Sequence, residues 1–141
     1  MADPAGSAAP PEGAGGAFGV LGEASDAVLT VEHAPPTPDG RHVVRVGGEI
    51  DMLTSPRLRA ALSPVVSAAG GDVVIDLDGV TFLGSNGLGV LVELSQQAAA
   101  VGTSLRLVCA NRMAVRPLTL TGLDQVLDLY ETHAALPPVG A

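Results

Sequence analysis

The run Val73-Val74-Ile75-Asp76-Leu77 constrains this chain more than any other feature, because apolar residues interrupted by a single acid describe a strand buried on both faces. Such a strand belongs inside a parallel sheet, and parallel neighbours need crossovers long enough to hold a helix. The flanking residues meet that demand. His42–Ile50 (HVVRVGGEI) is β-branched and reads as a strand, with Gly47-Gly48 marking a bulge or close approach. Ser55 reads as a helix N-cap and Pro56 as the first helical position. Leu58, Leu62, Val65, Val66 and Ala69 follow at helical spacing, Pro64 kinks or begins to end that helix, and Gly70-Gly71 closes it. After the strand Asp72–Val80, a sharp loop at Thr81–Gly84 precedes a second helix from about Asn86 to Val101. Leu88, Val90, Leu91, Val92 and Leu94 make that helix apolar on more than one face, so it is expected to be heavily buried. Ser104–Cys109 is another strand and Ala114–Thr121 a third helix, bent at Pro117 and capped by Gly122. Val126–Tyr130 is a last short strand. Ala27–His33 supplies a first strand, followed by the Pro-rich turn Ala34–Gly40. The alternation predicts an α/β domain with a four- to five-stranded mixed sheet, parallel in its middle, and helices mainly on one side.

Composition narrows the function classes. A length of 141 residues predicts one domain, and the 47% hydrophobic content is rich in alanine, so Val, Leu and Ile must build the core. Seven basic residues, all arginine, against fifteen acidic ones give a net charge of −8, which argues against nucleic acid and anionic membranes as partners. Aromatic residues are 2% of the chain, too few for base-stacking platforms. The single Cys109 excludes an internal disulfide or a multi-cysteine zinc cluster, and its apolar strand makes it a core thiol. No apolar run approaches the roughly 20 residues needed to span a bilayer. The opening MADPAGSAAPPEG lacks the basic and apolar regions of a signal peptide, so a cytoplasmic location is expected. Sixteen of residues 1–25 are Ala, Gly or Pro, which predicts a disordered tail. The folded domain is then expected over residues 26–136, with a short tail at 137–141.

Few residues offer enzymatic chemistry. His33, His42 and His133 are far apart and read as surface groups. Glu49, Asp51, Asp76 and Asp78 form either a carboxylate cluster at neighbouring strand ends or a set of turn caps. Magnesium sites with such acids also need a phosphate-cradling loop, and neither GxxxxGK[ST] nor any lysine is present. No cofactor and no metal are therefore expected, and the chain is read as a non-enzyme. The informative turn is Ser85-Asn86-Gly87-Leu88, where a buried strand delivers the start of a buried helix. Free N–H groups and the positive end of the helix dipole lie there, so the fold would tolerate a phosphate on Ser85. Gly87 and Gly89 would let another protein approach the backbone closely. The competing reading makes Ser85 or Asn86 an ordinary N-cap and the glycines packing residues.

This segment resembles the signature of STAS domains, specifically bacterial anti-sigma factor antagonists: a strand ending Asp-Leu, a few residues with Val and Phe, then Asp-Ser-Ser/Thr-Gly-Leu. Asp76-Leu77, Val80 and Phe82, and then Ser85, Gly87 and Leu88 match it. Gly48–Leu62 (GEIDMLTSPRLRAAL) resembles the family's second strand and first helix, and Arg116–Leu136 its closing elements. The resemblance runs in order over about residues 26–136. It implies partner switching: the unphosphorylated protein binds an anti-sigma factor that is also a GHKL-type serine kinase, phosphorylation at the position of Ser85 releases it, and a phosphatase restores binding. The resemblance places the partner surface on Thr81, Leu83, Gly84, Ser85, Asn86, Gly87 and Leu88, with Asp51 and Thr54 from the Asp51–Arg57 stretch. For Leu88 and Phe82, as for any apolar residue, core is the safer reading. Two positions depart from the pattern, with Gly84 replacing the family Asp and Asn86 the second Ser/Thr. Loss of that acid leaves open a divergent adaptor that binds its partners constitutively, without phosphorylation.

Overall fold

In a computed structural model describing residues 29–68 and 70–140, Val73, Val74, Ile75 and Leu77 are buried on both faces of the longest strand. The sheet has five strands in sequential order: β1 (Leu29–His33), β2 (Arg41–Ile50), β3 (Asp72–Leu83), β4 (Ser104–Val108) and β5 (Leu129–Tyr130). From β2 to β5 every neighbouring pair is parallel. The connection from β1 to β2 is too short for a crossover, so these two make a hairpin and the sheet is mixed. Helices α1 (Ser55–Ser67), α2 (Ser85–Val101) and α3 (Arg112–Leu120) occupy the three crossovers. All three crossovers step the same way across the sheet, so their right-handedness places the helices on one face. The expected tail at 1–25 and the first residues of the expected opening strand lie outside the described residues.

The core follows from period. Val44, Val46 and Ile50 of β2, Leu58, Leu62 and Val66 of α1, Leu91 and Leu94 of α2 and Leu118 of α3 are all nearly or fully buried and make up the core on the helical face. On the other face, Asp72 binds both Arg41 (3.0 Å) and Arg106 (3.2 Å), while Arg106 also reaches Asp128 at 3.3 Å. The segment after β5 is held to the sheet by side chains from its strands. Arg41 Nη2 donates to the Pro137 carbonyl at 2.6 Å, and His133 Nε2 lies 2.7 Å from Asp76 Oδ2.

Several boundaries differ from expectation. β3 continues to Leu83, so the loop expected at Thr81–Gly84 shrinks to Gly84 alone. The ladder survives because β3 carries an extra residue twice. Arg45 pairs with Asp76 but Gly47 with Gly79, and Gly48 pairs with Val80 but Glu49 with Phe82. Gly48 takes the left-handed φ of +87°, and a Cβ on Gly79 would sit 3.2 Å from Gly47 Cα. The Gly47-Gly48 signal thus marks both a bulge and a close approach. Helix α1 starts one residue earlier in register than expected, with Thr54 as N-cap and Ser55 inside it, and it runs through the exposed Pro64 to Ser67. Cys109 lies just beyond β4 rather than in it. Only Leu129 and Tyr130 of the last expected strand pair, because Gly122 turns into a short 3-10 segment, Leu123–Gln125, that takes the chain away from the sheet.

Helix α3 begins at Arg112, capped by Asn111, whose side chain accepts from Met113 N at 3.0 Å. The same amide donates to the Val80 carbonyl and, at 3.2 Å, to that of Asp78, tying the start of α3 to the end of β3. Asn111→Ala is expected to cost about 2 kcal/mol, the sum of a lost cap and an unsatisfied strand-end carbonyl. Urea unfolding would show a lower midpoint with an unchanged slope.

Candidate functional site

The ends of β2, β3 and β4 meet the starts of α1, α2 and α3 along one edge of the sheet, and the residues singled out in the sequence collect there. At the end of β2 the chain turns sharply around Asp51. Its carboxylate accepts from Leu53 N at 2.9 Å and Thr54 N at 3.0 Å, and these bonds, that of Thr54 foremost, hold its pKa below the usual carboxylate value. Thr54 Oγ1 donates to the Glu49 carbonyl (2.8 Å) and accepts from Asp51 N (2.9 Å), while Ser55 Oγ donates to the Asp51 carbonyl. Thr54 is therefore buried and committed to the turn, and so is Ser55. With the side chains of Asp51, Thr54 and Ser55 bonded within the turn, Met52 and Leu53 stand out in solvent at 70% and 77% exposure.

The turn into α2 is built on the same strand. Gly84 N donates to the Ile50 carbonyl at 2.9 Å, and Gly84 O accepts from Leu88 N at 3.0 Å, starting the helix. Gly84 is the N-cap in an extended conformation and offers no side-chain cap; Ser85 is the first helical residue. The expectation of Ser85 or Asn86 as N-cap is thereby corrected: both lie inside the helix, exposed, and neither side chain does the capping. The physical reason is that β3 extends to Leu83, leaving one residue to change direction. The first turn of α2 holds no acidic residue, so the positive end of its dipole faces outward unopposed from within the helix.

Burial divides the expected partner residues. Ser85, Asn86 and Thr81 are exposed, with Thr81 on the strand rather than in a loop, while Gly84 and Asp51 are half-buried. Leu83, Gly87 and Leu88 are buried with Thr54, so they shape the edge from beneath. At Gly87 a Cβ would collide with Ile50 and Leu83, which explains the glycine by close packing. Gly89 is different, with nothing within 4 Å of a Cβ built there. Phe82, expected in the core, is instead 50% exposed, with its ring 3.1 Å from where a Gly84 Cβ would stand. The bulge at Gly48/Glu49 turns its side chain out of the core-facing sequence.

Sequence reading placed Asp51–Arg57 at this edge but did not single out Met52 or Leu53, and it passed over Met113, 58% exposed in the first turn of α3. A signal existed. Met52 and Leu53 fit neither the period of β2 nor that of α1, and unperiodic apolar residues beside an Asx-type turn point outward.

The acids resolve as turn and strand-end acceptors. Asp76 accepts from Asp78 N at 2.9 Å, and Asp78 accepts from Ala110 N (2.7 Å) and Asn111 N (3.2 Å). Glu49 points into solvent. Of the histidines, His33 and His42 are exposed, and His133, also on the surface, makes the pair with Asp76. Among the described residues no group of three or more His, Cys, Asp or Glu is placed to hold a metal, and no helix is long and apolar enough to cross a membrane.

Ser85 is exposed where a buried helix opens, at the same edge of the sheet as the exposed Met52, Leu53 and Phe82, and known proteins share the fold that builds this edge. The anti-sigma-F factor antagonist RsfB of Mycobacterium tuberculosis is 39% identical over 104 residues, covering 72% of this chain and 83% of that protein. The anti-sigma-B factor antagonist of Bacillus subtilis is 35% identical over 86 residues, 61% of this chain and 78% of its own. A crystal structure of an anti-sigma factor antagonist from Mycobacterium paratuberculosis superposes with a TM-score of 0.67 at 38% identity, over 75% of this chain and 88% of that one. The STAS domain model matches residues 32–136, and the chain belongs to the STAS domain family.

Proposed function

We propose that this chain is a cytoplasmic anti-sigma factor antagonist, a regulatory non-enzyme whose partner is an anti-sigma factor of the GHKL serine-kinase type. In this reading the partner phosphorylates Ser85, the complex dissociates, and a phosphatase restores binding. The observation that carries it is Ser85 itself, exposed at the first position of α2 beside exposed Met52, Leu53 and Phe82. Ser85 and Asn86 make the polar centre of the contact. Thr81 and Gly84 border it, and Asp51, Thr54, Leu83, Gly87 and Leu88 hold its shape. A phosphate here adds about −1.5 to −2 charges. The helix dipole eases that charge in the free protein, whereas an apolar interface does not. The similarity to antagonists of anti-sigma-F and anti-sigma-B factors supports the choice of partner.

The test is to incubate the full chain with a GHKL-type anti-sigma factor from the same cell and magnesium ATP, then map phosphate by peptide mass spectrometry. Phosphate on Ser85 is expected; its absence, or phosphate only elsewhere, overturns the switch. One observation favours a second reading, a constitutive adaptor. The Phe82 ring stands 3.1 Å from where a Cβ at position 84 would lie, so an exposed aromatic ring crowds the position at which the family signature has its acid. An adaptor binds the same partner but takes no phosphate.

A further inference from the structure

The chain carries one cysteine and three methionines, and Met1 lies outside the described residues. The fold treats the remaining sulfurs in opposite ways. Cys109 is 2% exposed; desolvation is the main cause pushing its pKa up to about 11, and its Sγ donates to the Asn111 carbonyl at 3.5 Å. A buried, protonated thiol is a poor nucleophile toward oxidants. Met52 and Met113 are both in solvent. They also flank one place. Met52 follows Ile50, which pairs with Leu83 and accepts from Gly84 N. Met113 follows Asn111, whose amide holds the Val80 carbonyl. Met52 thus follows the strand on one side of β3 and Met113 the strand on its other side, and β3 itself carries Phe82 and leads into Ser85.

We propose that Met52 and Met113 are oxidation sites through which a hydroperoxide weakens partner binding at this edge, independently of Ser85. A thioether sulfur attacks one peroxide oxygen, the O–O bond breaks and an S–O bond forms. The sulfur loses two electrons, and the displaced oxygen leaves as water or an alcohol. Sulfoxides are polar, so a face that depends on apolar contact loses affinity when they form. Neither side chain fills the core, and the fold itself is expected to keep its unfolding midpoint. The effect on binding rests on the antagonist reading above, whereas the selectivity among sulfurs does not.

The experiment treats the native full chain with hydrogen peroxide and maps added oxygen by peptide mass spectrometry. Met52 and Met113 are expected to oxidise while Cys109 stays reduced until urea unfolds the chain. Affinity for a GHKL-type anti-sigma factor is expected to fall about tenfold. A chain carrying both Met52→Leu and Met113→Leu is expected to lose no affinity on the same treatment when compared with that double variant left untreated. Cys109 oxidising ahead of both methionines would overturn the site assignment. Unchanged affinity in the oxidised native chain, or an equal loss in the double variant, would overturn the effect on binding. If the untreated chain binds no such partner, the antagonist reading fails and the effect on binding fails with it, and the oxidation map alone then decides the site assignment.

Discussion

Gly87→Val is expected to destabilise the protein by about 3 kcal/mol, the upper range for inserting bulk into a filled core. A Cβ at position 87 would lie 2.7 Å from Leu83 Cδ1 and closer still to Ile50 Cγ2. Neither neighbour has room to yield. Ile50 is completely buried and Leu83 nearly so, and the Gly84 N to Ile50 O bond pins the backbone beside them. Glycine inside a helix ordinarily costs about 1 kcal/mol relative to alanine, so the collision has to outweigh a gain in helix propensity. A fall of roughly 10 °C in melting temperature is expected for a domain of this size. Gly89→Ala is the control, two residues along the same helix with open space around its Cβ, and it is expected to hold or raise stability. If both variants melt alike, the first turn of α2 does not rest on β2 and β3 as described.

Ser85→Asp is expected to weaken binding to the anti-sigma factor about a hundredfold, while Ser85→Ala binds as the unmodified chain does. The carboxylate brings a charge into a surface lined by Met52, Leu53 and Phe82, and desolvating it on complex formation has no compensation there. The same charge sits at the positive end of a seventeen-residue helix, so the free Asp variant is expected to melt no lower than the native chain. Weaker binding without weaker folding separates a switch from simple damage. Calorimetric titration of both variants against the partner would decide it; equal affinities would sink the switch and favour the adaptor.

These predictions draw unequally on the sequence. VVIDL announced the central strand, and the alternation around it announced a mostly parallel sheet with helices in its crossovers. Each of those patterns is local and repeats, so it survives small errors of register. Gly47-Gly48 and the SNGL turn were legible for a related reason, since few residue types satisfy a bulge or a tight helix start. The ends of elements were harder. Thr81–Leu83 looks like a loop until the two extra residues in β3 are paired against β2, and that pairing joins residues more than thirty positions apart.

The sequence by itself determined the fold class, the order of the elements and the position of Ser85 at the opening of α2. Periodicity and turn chemistry act between near neighbours and leave their mark in consecutive residues. Only the tertiary structure decided which side chains of this edge reach the surface. Leu83, Leu88 and Thr54 went under the surface while Phe82, Met52, Leu53 and Met113 came onto it. Exposure depends on what distant segments cover, and a bulge or an inward-bonded turn reverses it without changing composition at all.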